Sequence, residues 1–267
     1  MSQPEHQDAA SAVPCTPHEL LAYTIAGMLE GLRHVAVGAS SPVPGTGALL
    51  ARAQAAQAGR SRLHLSILAS RKHNSFTNGG VEIFDLAAQG RLDAFFLGGG
   101  QIDGQANINL VGVGDYPQHK VRWPGSFGSA FLYHLVPRVI LFREEHPRRV
   151  FVPKVDFISA AGPQADPGHY RPGGPHALLT NRCLFSFNKD TRRFKLLSLH
   201  PGHTLEEIRD ETGFEFDVAK DATGNIATTP GPDAATLQLM RGEILDQIAE
   251  TYPRYAESVR EQLRLGS

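Results

Sequence analysis

Two glycine-dense stretches hold the residues best suited to a small polar ligand. In the first, Gly98-Gly99-Gly100-Gln101-Ile102-Asp103-Gly104-Gln105-Ala106-Asn107-Ile108-Asn109, three glycines follow the apolar run 93–97. Glycines allow close backbone approach, and Gln101, Asp103 and Asn107 bring amides and a carboxylate that can orient a polar group. The same residues also read as a structural turn closed by Asx-type bonds. In the second, Trp123-Pro124-Gly125-Ser126-Phe127-Gly128-Ser129 leads into an apolar helix over 130–136. Gly125 and Gly128 lie there at a helix start, where backbone N–H groups can receive an anion or a developing oxyanion. A turn with a cap is the alternative. A third stretch, 38–47, joins a strand to a helix but holds neither a P-loop lysine nor GxGxxG.

Other chemistries find little support. HExxH, GxSxG and CxxC are absent, so metallopeptidase, α/β-hydrolase and thiolate zinc readings fall away. Cys15 and Cys183 cannot build a disulfide framework. His200 and His203 lack a nearby third ligand and read as part of a turn. The basic clusters 71–73 and 148–149 read as solvated faces, either of which can still meet an anionic cofactor tail. Ser70 has His73 close in sequence but no visible triad.

The elements that position these residues follow from periodicity and punctuation. Thr16-Pro17-His18-Glu19 is a capping box with proline at the first helical position, ahead of Leu20, Leu21, Ile25, Met28, Leu29 and Leu32 at helical spacing. The apolar run 34–39 is expected to be a buried strand ending in a glycine turn, followed by a helix over 48–58, strands over 63–69 and 93–97, and a helix over 81–89. Strand-like runs follow at 139–143, 151–159, 183–187 and 194–199, with a Gly/Pro-rich loop over 161–175. A second capping box at Thr204 opens a helix. Strands alternating with helices across short glycine-marked links predict an α/β fold, a parallel or mixed sheet with helices on both faces. Residues 1–15 read as a flexible tail, 16–216 as the α/β domain, and 217–267 as a linker with a C-terminal helical segment interrupted at Pro253.

Composition narrows the partners. The 267 residues carry 27 acidic and 26 basic side chains, which argues against a polyanion such as nucleic acid. With 41% hydrophobic and 20% charged residues, the chain is not of the disordered class. No apolar run approaches the roughly 20 residues that span a membrane, and no signal-peptide pattern opens the sequence. A cytoplasmic protein is expected.

In order and spacing, several segments resemble the β subunit of heteromeric class I CoA-transferases, in the glutaconate CoA-transferase-like branch. They are 91–109, Pro124 to Gly128, 146–158, Leu199-His200-Pro201-Gly202 and Thr212-Gly213-Phe214. The resemblance implies a three-layer α/β/α fold with a mixed, mostly parallel sheet. It implies an α-subunit partner, and coenzyme A thioester as substrate rather than a bound cofactor. It also implies acyl exchange through an enzyme carboxylate, with backbone donors at the oxyanion. Within this reading, substrate contact is expected at Gly98, Gly99, Gly100, Gln101, Asp103, Asn107, Gly125 and Gly128, the glycines giving close approach and backbone donors. Two departures stand out. The family's nucleophilic Glu follows the second strand, yet no acid occurs between Ser61 and Val81, and Ser70 lies near that place. An acyl-serine would be an ester without the exchange chemistry of an anhydride. Phe127 stands where the family usually has glycine. Relatives without this Glu include ring-cleaving hydrolases of bacterial steroid catabolism, whose acting Glu belongs to the α subunit. A non-catalytic partner subunit is the remaining alternative.

Overall fold

A computed structural model describes residues 15–60, 63–77, 80–163, 168 and 170–265. The proposed tail over 1–14 lies outside the described residues. Helix α1 (Pro17–Met28) begins as its capping box dictates: the Thr16 hydroxyl accepts from the Glu19 N–H, and the Glu19 carboxylate accepts from the Thr16 N–H. Strand β1 (His34–Val37), helix α2 (Pro42–Gln57), strand β2 (His64–Ile67), helix α3 (Gly80–Ala88) and strand β3 (Ala94–Leu97) then alternate. Two small hairpins follow, β4 (Gln101–Ile102) with β5 (Ile108–Asn109), and β6 (Gly112–Val113) with β7 (Val121–Arg122). Helix α4 (Ser129–Leu135) and strand β8 (Arg138–Phe142) return the chain to the main sheet.

Strands β9 (Pro175–Leu179), β10 (Cys183–Asn188) and β11 (Arg193–Leu199), helix α5 (Leu205–Asp210), and strands β12 (Asp217–Val218) and β13 (Ala227–Thr228) complete the sheet region. The chain ends in α6 (Ala234–Leu239), a π-helical turn (Met240–Ile244), α7 (Leu245–Ala249) and α8 (Pro253–Leu265). The main sheet runs β12-β11-β10-β9-β8-β3-β1-β2, with β13 also on β11. Strands β2, β1, β3, β8 and β9 are mutually parallel, whereas β10 lies antiparallel to both of its neighbours.

Alternation along the buried strands builds the three layers. Val35, Val37, Ile67, Phe96 and Ile140 point to one face, covered by α1, α2 and the C-terminal helices. Ala36, Phe95, Leu97, Val139 and Leu141 point to the other, covered by α3, α4 and the β4–β5 hairpin. Each buried aliphatic or aromatic side chain contributes about 1.5–3 kcal/mol by leaving water, which is what holds helices to both faces.

Several sequence expectations shift for local reasons. Helix α2 starts at Pro42, ahead of the expected 48, because proline suits the first helical turn. Two of the glycines read as turn residues therefore lie inside this helix. A Cβ on Gly47 would sit 2.5 Å from Ile25 Cγ2 and 2.7 Å from the Ala22 carbonyl, so glycine there permits the close α1–α2 crossing. The run 151–159 is not a strand: Phe151 makes only an isolated bridge to Ile102, and Pro153 can offer no N–H to a ladder. Strand β9 begins at the end of the expected Gly/Pro loop, and β12 and β13 lie in the stretch read as a linker.

Candidate active site

Because β1, β2, β3 and β8 run parallel, their carboxyl ends share one edge of the sheet, the place where open α/β sheets bind ligands. Gly38 to Ser41 follow β1, Leu68 to Asn74 follow β2, Gly98 to Gly100 follow β3, and Arg143 to Glu145 follow β8. A cavity of about 300 Å3 opens there, lined by Ser40, Ser41, Leu97, Gly98, Arg143 and Glu144 among others. Arg143 gives one guanidinium nitrogen to Glu145 at 2.8 Å, while its buried Nε–H has no partner among the described residues. A buried donor left without an acceptor carries a desolvation cost. His18 beside Glu144 holds that carboxyl below its ordinary range despite partial burial, and keeps a negative charge on the cavity lining.

The structure divides the residues assigned from sequence. Gly98 lines this cavity, where an added Cβ would meet nothing closer than the Phe142 carbonyl at 3.5 Å. Gly99 packs against Ile102 and Ile108, which leaves no room for a side chain. Gly100 lies under the Trp123 indole: a Cβ there would be 2.2 Å from Cζ3. That contact joins the two glycine stretches, which sequence could not do. Gly128 caps α4 with φ of +63°, and a Cβ would strike Phe84. Phe127 is 85% exposed and tilted against Phe84 with ring centroids 5.6 Å apart.

Gly100→Ala is therefore expected to force the stiff indole aside and cost about 1–3 kcal/mol, whereas Gly98→Ala leaves stability nearly unchanged. Thermal denaturation of the two variants checks this contrast. Equal stability of both would show that Trp123 yields freely.

The polar residues behind the glycines are spent on the hairpin itself. Gln101 Oε1 accepts from Asn109 Nδ2 at 2.8 Å and from the Asp156 N–H at 2.9 Å, and its amide donates to Asp156 Oδ2 at 3.1 Å. Asp103 accepts from the Gln105 and Asn107 N–H groups and from Asn107 Nδ2. Asn107 Oδ1 in turn accepts from the Gly162 N–H. The turn they form lies at the far end of the hairpin, where Asp103 and Asn107 border a second cleft of about 590 Å3 beside Lys154 and Arg192. His200 and His203 are likewise engaged, with Thr229 and the Thr180 carbonyl, and with Glu207, respectively.

Ser70 is 5% exposed. Its hydroxyl accepts from the Lys72 and His73 N–H groups and donates to Glu250 Oε2 at 2.6 Å. Glu250 Oε1 accepts from the Arg71 N–H at 2.8 Å. Two residues on, the Tyr252 hydroxyl donates to the Gly38 carbonyl at 3.0 Å and receives the Ser41 N–H. Sequence reading missed both residues. Glu250 lies 180 positions from Ser70 and Tyr252 lies 214 from Gly38, and no local pattern encodes such separations.

A parallel-stranded α/β chain with a ligand-sized cavity at its carboxyl edge is the class defined by this geometry. The family model for coenzyme A transferase matches residues 22–211, and the chain belongs to that family. It is 30% identical over 171 residues to the B subunit of glutaconate CoA-transferase from Acidaminococcus fermentans, covering 62% of each chain. It is 33% identical over 170 residues to the cholesterol ring-cleaving hydrolase IpdB subunit of Rhodococcus jostii, covering 62% of this chain and 64% of that one. The chain thus spans under two thirds of these curated relatives. The crystal structure of Rhodococcus jostii IpdAB superposes with a TM-score of 0.72 at 26% identity, covering 85% of this chain and 93% of the matched one.

Proposed function

We propose that this chain is the β subunit of a heteromeric CoA-transferase-family enzyme that acts on an acyl-CoA thioester at the carboxyl edge of the sheet. The family match over 22–211, which takes in all the parallel strands of that edge, carries the reading. CoA transfer between acids is the activity proposed first. The thioester carbonyl would approach the edge loops, with the unpartnered Arg143 Nε–H available to an acyl oxygen. Gly98, Gly99 and Gly100 would let the acyl group lie against backbone, and Trp123 would hold the Gly125 and Gly128 loop beside them. Gln101, Asp103 and Asn107 support the reading as the network that stiffens this hairpin. Phe84, Phe127 and Phe131 form an aromatic cluster, with Phe127 and Phe131 exposed, suited to an α-type partner chain.

A second reading, water-dependent opening of a carbon–carbon bond in a cyclic acyl-CoA, draws on one observation. The loop after β2 has no acid of its own, so acyl transfer to a carboxylate carried by that loop has no nucleophile. In that case the acting acid would belong to the partner.

Co-expression with a candidate α-like chain tests the assignment, with stable copurification and acyl-CoA turnover as the expected result. No association with any α-like chain would sink it. Hydroxylamine or borohydride trapping during turnover is expected to leave this chain unlabelled. Heavy-oxygen water entering the product would identify hydrolysis, and exchange with an added acid would identify transfer.

A further inference from the structure

We infer that Glu250 is a positioning residue for the carboxyl-edge site: the turn between α7 and α8 returns a carboxylate to the end of β2 and fixes the loop 70–73. This inference rests on the carboxyl edge being the active site. Between Ser61 and Val81 the chain has no acid, yet the residues after β2 are arranged around one. Glu250 Oε2 accepts from the Ser70 hydroxyl at 2.6 Å and the Thr251 hydroxyl at 2.8 Å, and Oε1 accepts from the Arg71 N–H at 2.8 Å. The Lys72 and His73 N–H groups converge on the Ser70 oxygen, at 3.1 and 2.9 Å. The Arg71 N–H thus meets the carboxylate directly, and the Lys72 and His73 N–H groups are tied to it through the Ser70 hydroxyl.

The position of that carboxylate is well anchored. Ile244, Leu245 and Ile248 are buried against α2. A Cβ on Gly45 would lie 2.9 Å from Ile248 Cδ1 and 3.5 Å from Tyr252 Cε2, so glycine in α2 lets the C-terminal segment approach. Tyr252 then ties the same turn to Gly38 and Ser41, and Ser41 lines the cavity. One three-residue turn therefore holds the loops after both β1 and β2.

Partial burial works against the charge. The hydroxyls of Ser70 and Thr251 and the Arg71 and Lys72 N–H groups outweigh it and hold the carboxyl down at about 2. Such a group accepts no proton near neutral pH, so its part is to hold the loop rather than to transfer protons.

Hydrogen exchange on the full chain, and kinetics on its complex with the α-type partner, test this. In Glu250→Ala, exchange at residues 70–73 is expected to rise about tenfold or more, since charge-assisted hydrogen bonds are lost. Sodium acetate or formate, compared with sodium chloride at equal ionic strength, is expected to refill the vacated donors and restore protection. In the complex, kcat is expected to fall about tenfold with KM for acyl-CoA changed less than about twofold, and acetate is expected to recover kcat. A purely structural side chain would show neither the split nor the rescue. Glu250→Gln, which keeps the shape but loses the charge and one acceptor, carries the exchange and kcat measurements, without acetate rescue, if the alanine variant does not fold. Unchanged exchange, acetate-insensitive loss, unchanged kcat or an acyl label on Glu250 would each overturn the inference. A wild-type complex with no acyl-CoA turnover would instead defeat the proposed function while leaving the exchange result standing.

Discussion

Arg241→Met is expected to destabilise the folded chain by about 3–5 kcal/mol, because it strands a buried carboxylate. Glu19 is only 6% exposed and already serves the N-terminus of α1 by accepting the Thr16 N–H. Arg241, 222 residues away in the π-helical turn, meets both of its oxygens: Nε reaches Oε1 at 2.6 Å and Nη2 reaches Oε2 at 2.9 Å. Both hydrogen bonds are charge-assisted and share one guanidinium plane, a geometry lysine cannot reproduce. With the guanidinium removed, the desolvated carboxylate keeps its burial cost and loses its counter-charge. The double variant Glu19→Gln/Arg241→Met is expected to recover much of the loss, since a neutral amide can still accept from Thr16. Urea denaturation of the two variants measures the difference. A single variant within about 1 kcal/mol of wild type would show that water enters and solvates Glu19. This pair also clamps the segment that presents Glu250, so Arg241→Met is expected to loosen the loop after β2 as a secondary effect.

Acidification is expected to unfold the chain well before its surface carboxylates would, because two buried histidines stay neutral. His146 is 2% exposed and packs on Phe151, with ring centroids 4.3 Å apart. Its Nε2–H donates to the Thr212 hydroxyl, whose own hydrogen goes to the Ile208 carbonyl, and its Nδ1 accepts from Thr180. His200 donates from Nε2 to the Thr180 carbonyl and accepts at Nδ1 from Thr229. Each ring is thus satisfied as a neutral imidazole. Burial, reinforced by the Arg182 charge, pushes His146 down to about 3. Burial pushes His200 down to about 4 against the opposing bond to Thr180.

In the unfolded chain both rings take up protons as pH falls below about 6.5, whereas the folded chain takes up none until pH 4 or lower. Stability is therefore full above 6.5 and falls by about 1.4 kcal/mol per pH unit for each ring below it. By pH 4 the loss reaches roughly 6–7 kcal/mol, comparable with the whole stability of an ordinary domain. Denaturation midpoints from pH 7.5 to 4.5 check this, alongside His200→Gln, which is expected to flatten the profile by the share of one ring. An unchanged slope in that variant would place the acid sensitivity elsewhere.

Much of the frame is legible in the chain. The capping box at Thr16, the N-cap at Thr204, the apolar runs of β1, β3 and β8, and the glycine links between them specify alternating elements, because each signal acts within a few residues. The signals that fail are those that nearby context overrides. The run 151–159 has strand composition, but Pro153 and the Asp156 bonds to Gln101 and Gly114 keep it irregular. Gly45 and Gly47 look like turn residues, but a helix uses them to admit Ile25 and Ile248 at close range. Strand β9 is five residues long and opens on the last proline of the Gly/Pro-rich loop, and pairing with β8 on one side and β10 on the other makes it a strand.

The candidate site divides along the same line. By itself the sequence determined the family, the parallel strands whose ends make an edge, the glycines at that edge, and the absence of an acid after β2. All of these follow from residue identity and short-range order. Tertiary structure alone decided which polar groups are free and which are spent. It turned Gln101, Asp103 and Asn107 inward on one another, left the Arg143 Nε–H open, laid Trp123 over Gly100, and brought Glu250 to Ser70 and Arg71. Such contacts join residues tens to hundreds of positions apart. They form because burying the C-terminal helices and the hairpin against the sheet leaves those polar groups no partners but each other, and nothing local in the chain records that pairing.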